Sequence, residues 1–99
     1  MSDALFDQVK RKLNITWSDD DTDARIHDII NSAEYALRHK LGTVEDFDFA
    51  EVGQENMLFL SYCLYEWNHA VNEFDANYLN DILQLRQKHE VAAYEADSV

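Results

Sequence analysis

A run of 99 residues with no proline and only two glycines, Gly42 and Gly53, has few places where it can turn sharply. Proline and glycine are the residues that most often end helices and shape tight loops, so their scarcity predicts long helices with few joints. The apolar spacing agrees. Leu5, Val9 and Leu13 recur at four-residue steps and predict a first helix over about 3 to 13, ending near Asn14. Ile26, Ile30, Ala33, Leu37 and Leu41 form a second stripe, widened by Ile29 and Ala36, and predict a helix over about 20 to 41. Ser18 or one of the following Asp residues serves as its N-cap. Asp19, Asp20, Asp21 and Asp23 suit the positive end of its dipole, and Gly42 suits a left-handed residue just past its end.

The next helix, about 54 to 72, is apolar on three sides. Met57, Leu60, Leu64, Trp67 and Val71 line one, Leu58, Tyr62 and Tyr65 a second, and Phe59, Cys63 and Ala70 a third. Three neighbouring helices can hardly cover such a surface, so part of it is expected to meet the long loop or to be buried in an assembly. Tyr78, Ile82, Leu85 and His89, broadened by Leu79 and Leu83, predict a last helix over about 76 to 94, with a short frayed end through Val99. The expected fold is therefore all-α: one domain over residues 1–99, a compact bundle of about four helices with one long loop between helices 2 and 3. That loop, 43 to 54, carries Val44, Phe47, Phe49 and Val52 and exceeds the usual length of a helix connection. Its two rings either cover the domain's own core or reach into a neighbouring subunit.

Twenty Asp and Glu against eight Lys and Arg give a net charge of −12, which opposes simple binding to a phosphate backbone. The distribution is sharper than the sum. No Lys or Arg occurs between Leu41 and Leu85, where nine acids do, from Glu45 to Asp81. Seven of the eight bases fall in three clusters, Lys10 to Lys12, Arg38 with Lys40, and Arg86 with Lys88, the first two near predicted helix C-termini. With no apolar N-terminal stretch of signal type and no apolar run near the roughly 20 residues of a membrane span, a soluble, cytoplasm-like setting is expected.

Chemistry finds little to build on. Asp19, Asp21 and Asp23 match the start of an EF-hand loop, but Ala24 replaces the turn glycine and Ile30 stands where the bidentate Glu is needed. Glu66-x-x-His69 is half of a di-metal signature and has no second copy. His27, His39 and His89 lie apart from any second thiol, and Cys63, in an apolar stretch, reads as a buried thiol six residues from His69 on a different helix face. Two distant glycines make no phosphate loop. Neither an enzyme nor a resident cofactor or metal is expected.

Two segments together carry a resemblance. The first is Ile15-Thr16-Trp17, the Asp run to Asp23 and the Ile26 to Leu37 stripe closed by Leu41-Gly42. The second runs from Leu60 through Tyr62, Tyr65, Trp67-Asn68 and Ala70 to Phe74, Asn77-Tyr78-Leu79, Ile82 and Leu85. Over about residues 5 to 90 the chain resembles the head-tail connector, or head-completion, proteins of long-tailed bacteriophages and prophages. The resemblance implies a helical subunit made in the host cytoplasm that joins copies of itself in a ring of about twelve beneath the portal protein after DNA packaging. Such a ring extends the DNA channel, passes DNA without specific binding, and offers a platform to a stopper or tail-completion protein in the virion. It places the intersubunit and portal contacts in the 43 to 55 loop and after His89. The candidate interface residues are Phe47, Phe49, Phe59, Tyr62, Tyr65 and His89. An acidic channel wall would let DNA slide without counterion release. The alternative is an acidic decoy that imitates DNA and inhibits a DNA-binding protein.

Overall fold

The computed structural model describes residues 3–43 and 47–97; Val44, Glu45 and Asp46 of the long loop, and Val99 at the end, lie outside the described residues. The first helix, α1 (Asp3–Lys12), buries Leu5 and Val9, with Leu13 beneath its last turn. It stops because Asn14 turns left-handed at φ 59°, which lets the Ile15 N–H donate to the Lys10 carbonyl at 3.0 Å and the Asn14 N–H to the Arg11 carbonyl at 3.1 Å. Ile15 is then carried into the core and locks the exit direction.

Helix α2 (Asp20–Leu41) begins on Asp19, whose carboxylate accepts the Thr22 N–H at 2.8 Å and the Thr22 hydroxyl at 2.9 Å. The Thr22 backbone bond, followed by the hydroxyl, holds the Asp19 carboxyl below its ordinary value. All six core positions of the stripe, Ile26, Ile29, Ile30, Ala33, Leu37 and Leu41, are buried. Gly42, at φ 66°, closes the helix by donating its N–H to the Arg38 carbonyl.

The expected third helix divides. Helix α3 covers Gln54–Trp67, and a separate short helix, α4 (Val71–Asn77), follows. His69 adopts φ 58°, its N–H donates to the Glu66 carbonyl at 3.1 Å, and the Ala70 N–H donates to the Tyr65 carbonyl at 2.8 Å. This is the Schellman closure already seen at Asn14, made without glycine. Arg25 braces the corner from α2: its guanidinium lies 4.1 Å from the centre of the Trp67 ring and donates to the Trp67 carbonyl at 2.8 Å. The corner turns α4 so that Phe74 is fully buried, ringed by Tyr62, Tyr65 and Tyr78 at 4.9 to 5.7 Å between centroids.

After Tyr78 alone, α5 (Leu79–Asp97) runs to the end of the described chain and buries Ile82 and Leu85. The fold is all-α with five helices and no strand among the described residues, one helix more than the spacing predicts. The difference is the left-handed corner at His69, together with a last break at Tyr78 where Asn72 to Asp75 were expected to supply it. The last helix also reaches Asp97 where about 94 was expected.

Candidate interaction surface

The long loop is strapped to the body. Asn56, buried near the start of α3, donates through Nδ2 to the Phe49 carbonyl and to Gln8 Oε1, both at 2.7 Å. Gln8 in turn donates to the Ala50 carbonyl at 2.9 Å, so α1 and α3 together hold residues 49 and 50. On the other side Arg38 donates to the Phe47 carbonyl at 3.2 Å and pairs with Glu34 at 3.1 Å. A second knot joins α3 to α5. Buried Glu55 places Oε2 2.6 Å from Lys88 Nζ and 3.0 Å from His89 Nε2. Burial pushes the Glu55 carboxyl up, but hydrogen bonds from Lys88, from its own backbone N–H and from His89 outweigh it, and the net shift is downward.

These straps decide where the candidate interface residues lie. Phe49 is 2% exposed and stacks on fully buried Phe59 at 5.1 Å, while Tyr62 is buried against Phe74. These three rings are closed inside the chain's own core and present no surface to a neighbour. Phe47 is half-buried, edge-on to Phe49 and to His89. Tyr65 is half-buried and its hydroxyl accepts from Asn77 Nδ2 at 2.9 Å. Phe47, Tyr65 and His89 therefore reach the surface by an edge only. Much of the apolar excess of the third helix is spent within the monomer, against the loop and α4, while Met57 stays exposed and Leu60, Leu64 and Trp67 are half-buried.

Open apolar side chains lie elsewhere, singly at Trp17, Tyr35 and Val52 and as a row on one helix. On α5, Leu79, Leu83, Val91 and Tyr94 are exposed, Tyr94 by 74%, while Ile82 and Leu85 of the same helix are buried. Leu79 and Leu83 stand one turn apart, as do Val91 and Tyr94, so the helix carries an outer apolar edge in addition to its core face. Past His89 every residue through Glu95 is exposed. Helicity continues there without burial.

A groove of about 290 Å³ runs between the first half of α3 and the first half of α5. Met57, Leu58, Tyr78 and Leu85 supply its apolar lining, and Gln54, Ser61, Asp81 and Gln84 its polar edge. Met57, 68% exposed, stands at its mouth. The residues that the sequence marked for chemistry are dispersed. Glu66 turns toward Ser32, whose hydrogen bond only partly offsets the upward push of burial on its carboxyl, and Oε2 of Glu66 is buried without a partner. His69 sits instead at the exposed corner, 3.4 Å from Arg25. Burial drives the Cys63 thiol far above its ordinary value, which keeps it un-ionised and unreactive. Among the described residues no group of three or more His, Cys, Asp or Glu side chains is placed to hold a metal ion, and no helix is long and apolar enough to cross a membrane.

The α5 edge and the groove escaped sequence reasoning for different reasons. The spacing of Leu79 and Leu83 predicts a wider core face, since periodicity cannot tell a broad buried face from two faces. The groove depends on how α3 and α5 separate, which spacing does not encode. Compared with family models, with curated proteins and with solved structures, the chain finds no match.

Proposed function

We propose that this chain is a structural virion subunit, a head-tail connector that joins copies of itself in a ring under the portal protein and carries the next stopper or tail component. The observation that carries the reading is the outer edge of α5. A −12 chain leaves Leu79, Leu83, Val91 and Tyr94 in solvent along a helix that outruns its own core. Monomeric proteins seldom leave such an edge open, and association is the ordinary way to cover it. The resemblance in the α2 stripe and in the Leu60 to Leu85 segment supplies the setting. The intersubunit contact moves, in this reading, from the Phe49, Phe59 and Tyr62 rings to the α5 edge, Val91 and Tyr94 in the first place.

The test is to mix the purified protein with the cognate portal ring and image the product by electron microscopy. A stacked extra ring, lost in Leu83→Glu combined with Tyr94→Ser while the variant stays folded by circular dichroism, is the expected result. Persistent absence of any added density on the cognate portal refutes the reading. The acidic decoy keeps one point in its favour: Leu58, Phe59, Tyr62 and Cys63 of α3 are buried within the monomer, so less of its apolar content calls for an assembly. Tight, salt-sensitive capture of a basic DNA-binding enzyme, with no ring, would select it.

A further inference from the structure

We infer that the groove between α3 and α5 is a docking site for a cationic amphipathic helix of a partner protein. The groove joins an apolar lining to walls that carry no Lys or Arg. Every residue that lines it falls between Gln54 and Leu85, inside the stretch that contains no Lys or Arg. Asp81 stands on its wall. The two cations that follow on α5 are already engaged: Arg86 pairs with Glu90 at 3.0 Å, and Lys88 with Glu55 at 2.6 Å. An approaching helix therefore meets an apolar slot with Asp81 on its wall and its flanking cations paired, on a chain of net charge −12, the complement of a helix with aliphatic anchors on one face and Lys or Arg on the other.

The walls fit that occupant. The slot is about 290 Å³ in volume, room for anchor side chains and not for a whole helix. Met57 at its mouth is unbranched and polarizable, the side chain that adapts best to anchors of differing shape. Gln54, Ser61 and Gln84 supply uncharged donors and acceptors at the rim. A second copy of the chain is a poorer occupant, because the exposed apolar edge it could insert, on α5, offers only Arg86 and Lys88 as cations and both are already paired. The inference does not depend on the connector reading and stands on the groove alone.

The experiment is a titration of the full chain, at about 0.15 M salt, with a fluorescent synthetic peptide of Leu and Lys patterned as an amphipathic helix. Its Leu/Glu counterpart and a Lys peptide lacking leucine are measured beside it. Met57→Lys is compared with Asn31→Lys, which makes the same change of charge at an exposed site on α2. The Leu/Lys peptide is expected to bind, to lose at least about tenfold in affinity with Met57→Lys, and to change less than about twofold with Asn31→Lys. The other two peptides are expected not to compete. Equal weakening by both variants, or equal binding of the leucine-free peptide, means diffuse attraction and overturns the proposal. Binding of the Leu/Glu peptide as tightly overturns the charge argument. Self-association of the protein that Met57→Lys abolishes shows that a second copy occupies the groove, and overturns it too. Circular dichroism of each variant confirms that a loss of binding is not a loss of fold.

Discussion

Replacing Asn56 by Asp exchanges one amide nitrogen for oxygen and leaves the side-chain shape intact, so it isolates what the amide does for the loop. Nδ2 of Asn56 donates to two acceptors, the Phe49 carbonyl and Gln8 Oε1. The substitution removes both bonds, worth about 1 kcal/mol each, and leaves the Phe49 carbonyl facing a carboxylate at a cost of about 1–3 kcal/mol more. Gln8 cannot repair this by turning its amide, because its own N–H then leaves the Ala50 carbonyl. The expected loss at pH 7 is roughly 3–5 kcal/mol, read in urea with the slope m unchanged, and a fall of roughly 12–40 °C in Tm for a domain of this size. Asn56→Ala loses the bonds without adding charge and should fall short of that by about 1 kcal/mol. Burial and the facing oxygens raise the folded pKa of the new carboxyl. Its protonated form is therefore favoured by folding, and the variant regains stability as pH falls toward and below about 4. A loss under about 0.5 kcal/mol at pH 7, or no recovery in acid, would refute the claim that Asn56 straps the loop to the body.

Glu55 and Glu66, three turns apart on α3, should move stability with pH in opposite directions. Glu55 is held below the ordinary carboxylate value, so its contribution is complete above about 4.5 and lost as pH falls through its lower folded value; Glu55→Gln should flatten the acid limb of the urea midpoint. Glu66 is pushed up by burial, so the stability tied to it is full below its unfolded value and declines as pH rises through the folded one; Glu66→Gln should raise the midpoint at pH 7 and leave it little changed in acid. At the left-handed corner, His69→Gly should raise stability by about 0.5–1 kcal/mol by thermal unfolding. His69→Val, which adds a β-branch at φ 58°, should lower it. Phe49→Ala should cost about 3–5 kcal/mol, since its ring is covered by Phe47, Phe59 and the chain around them.

Much of the helical order could be read from spacing. Leu5, Val9 and Leu13 and the Ile26 to Leu41 stripe are buried as four-residue periodicity predicts, and Asp19 and Gly42 mark the ends of α2. Those signals are local, arising within a few turns of one helix. The break between α3 and α4 carries no glycine or proline, and its brace is not local. His69 takes the left-handed conformation because Arg25, 44 residues earlier, holds the corner through the Trp67 ring and carbonyl. The candidate interface suffered from the same limit. Phe49, Phe59 and Tyr62 look like surplus apolar surface along the chain, and only the approach of the loop and of α4 turns them into core. The Gln8, Asn56 and Phe49 strap joins residues 48 and 7 positions apart and leaves no pattern in the sequence.

The length of α5 past its last buried side chain makes one helix into two thermodynamic segments. Amides up to about His89 are shielded by tertiary contacts and should exchange with solvent only when the whole domain opens. Those from Val91 to Glu95 belong to exposed residues, and two turns beyond the last core contact make a marginal helix, seeded by the anchored part behind them. A partner that grips Val91 and Tyr94 would find the helix already nucleated and would supply only the free energy of completing it. Slowed exchange confined to these last turns, with the rest of the molecule unchanged, would be the signature of such a clasp.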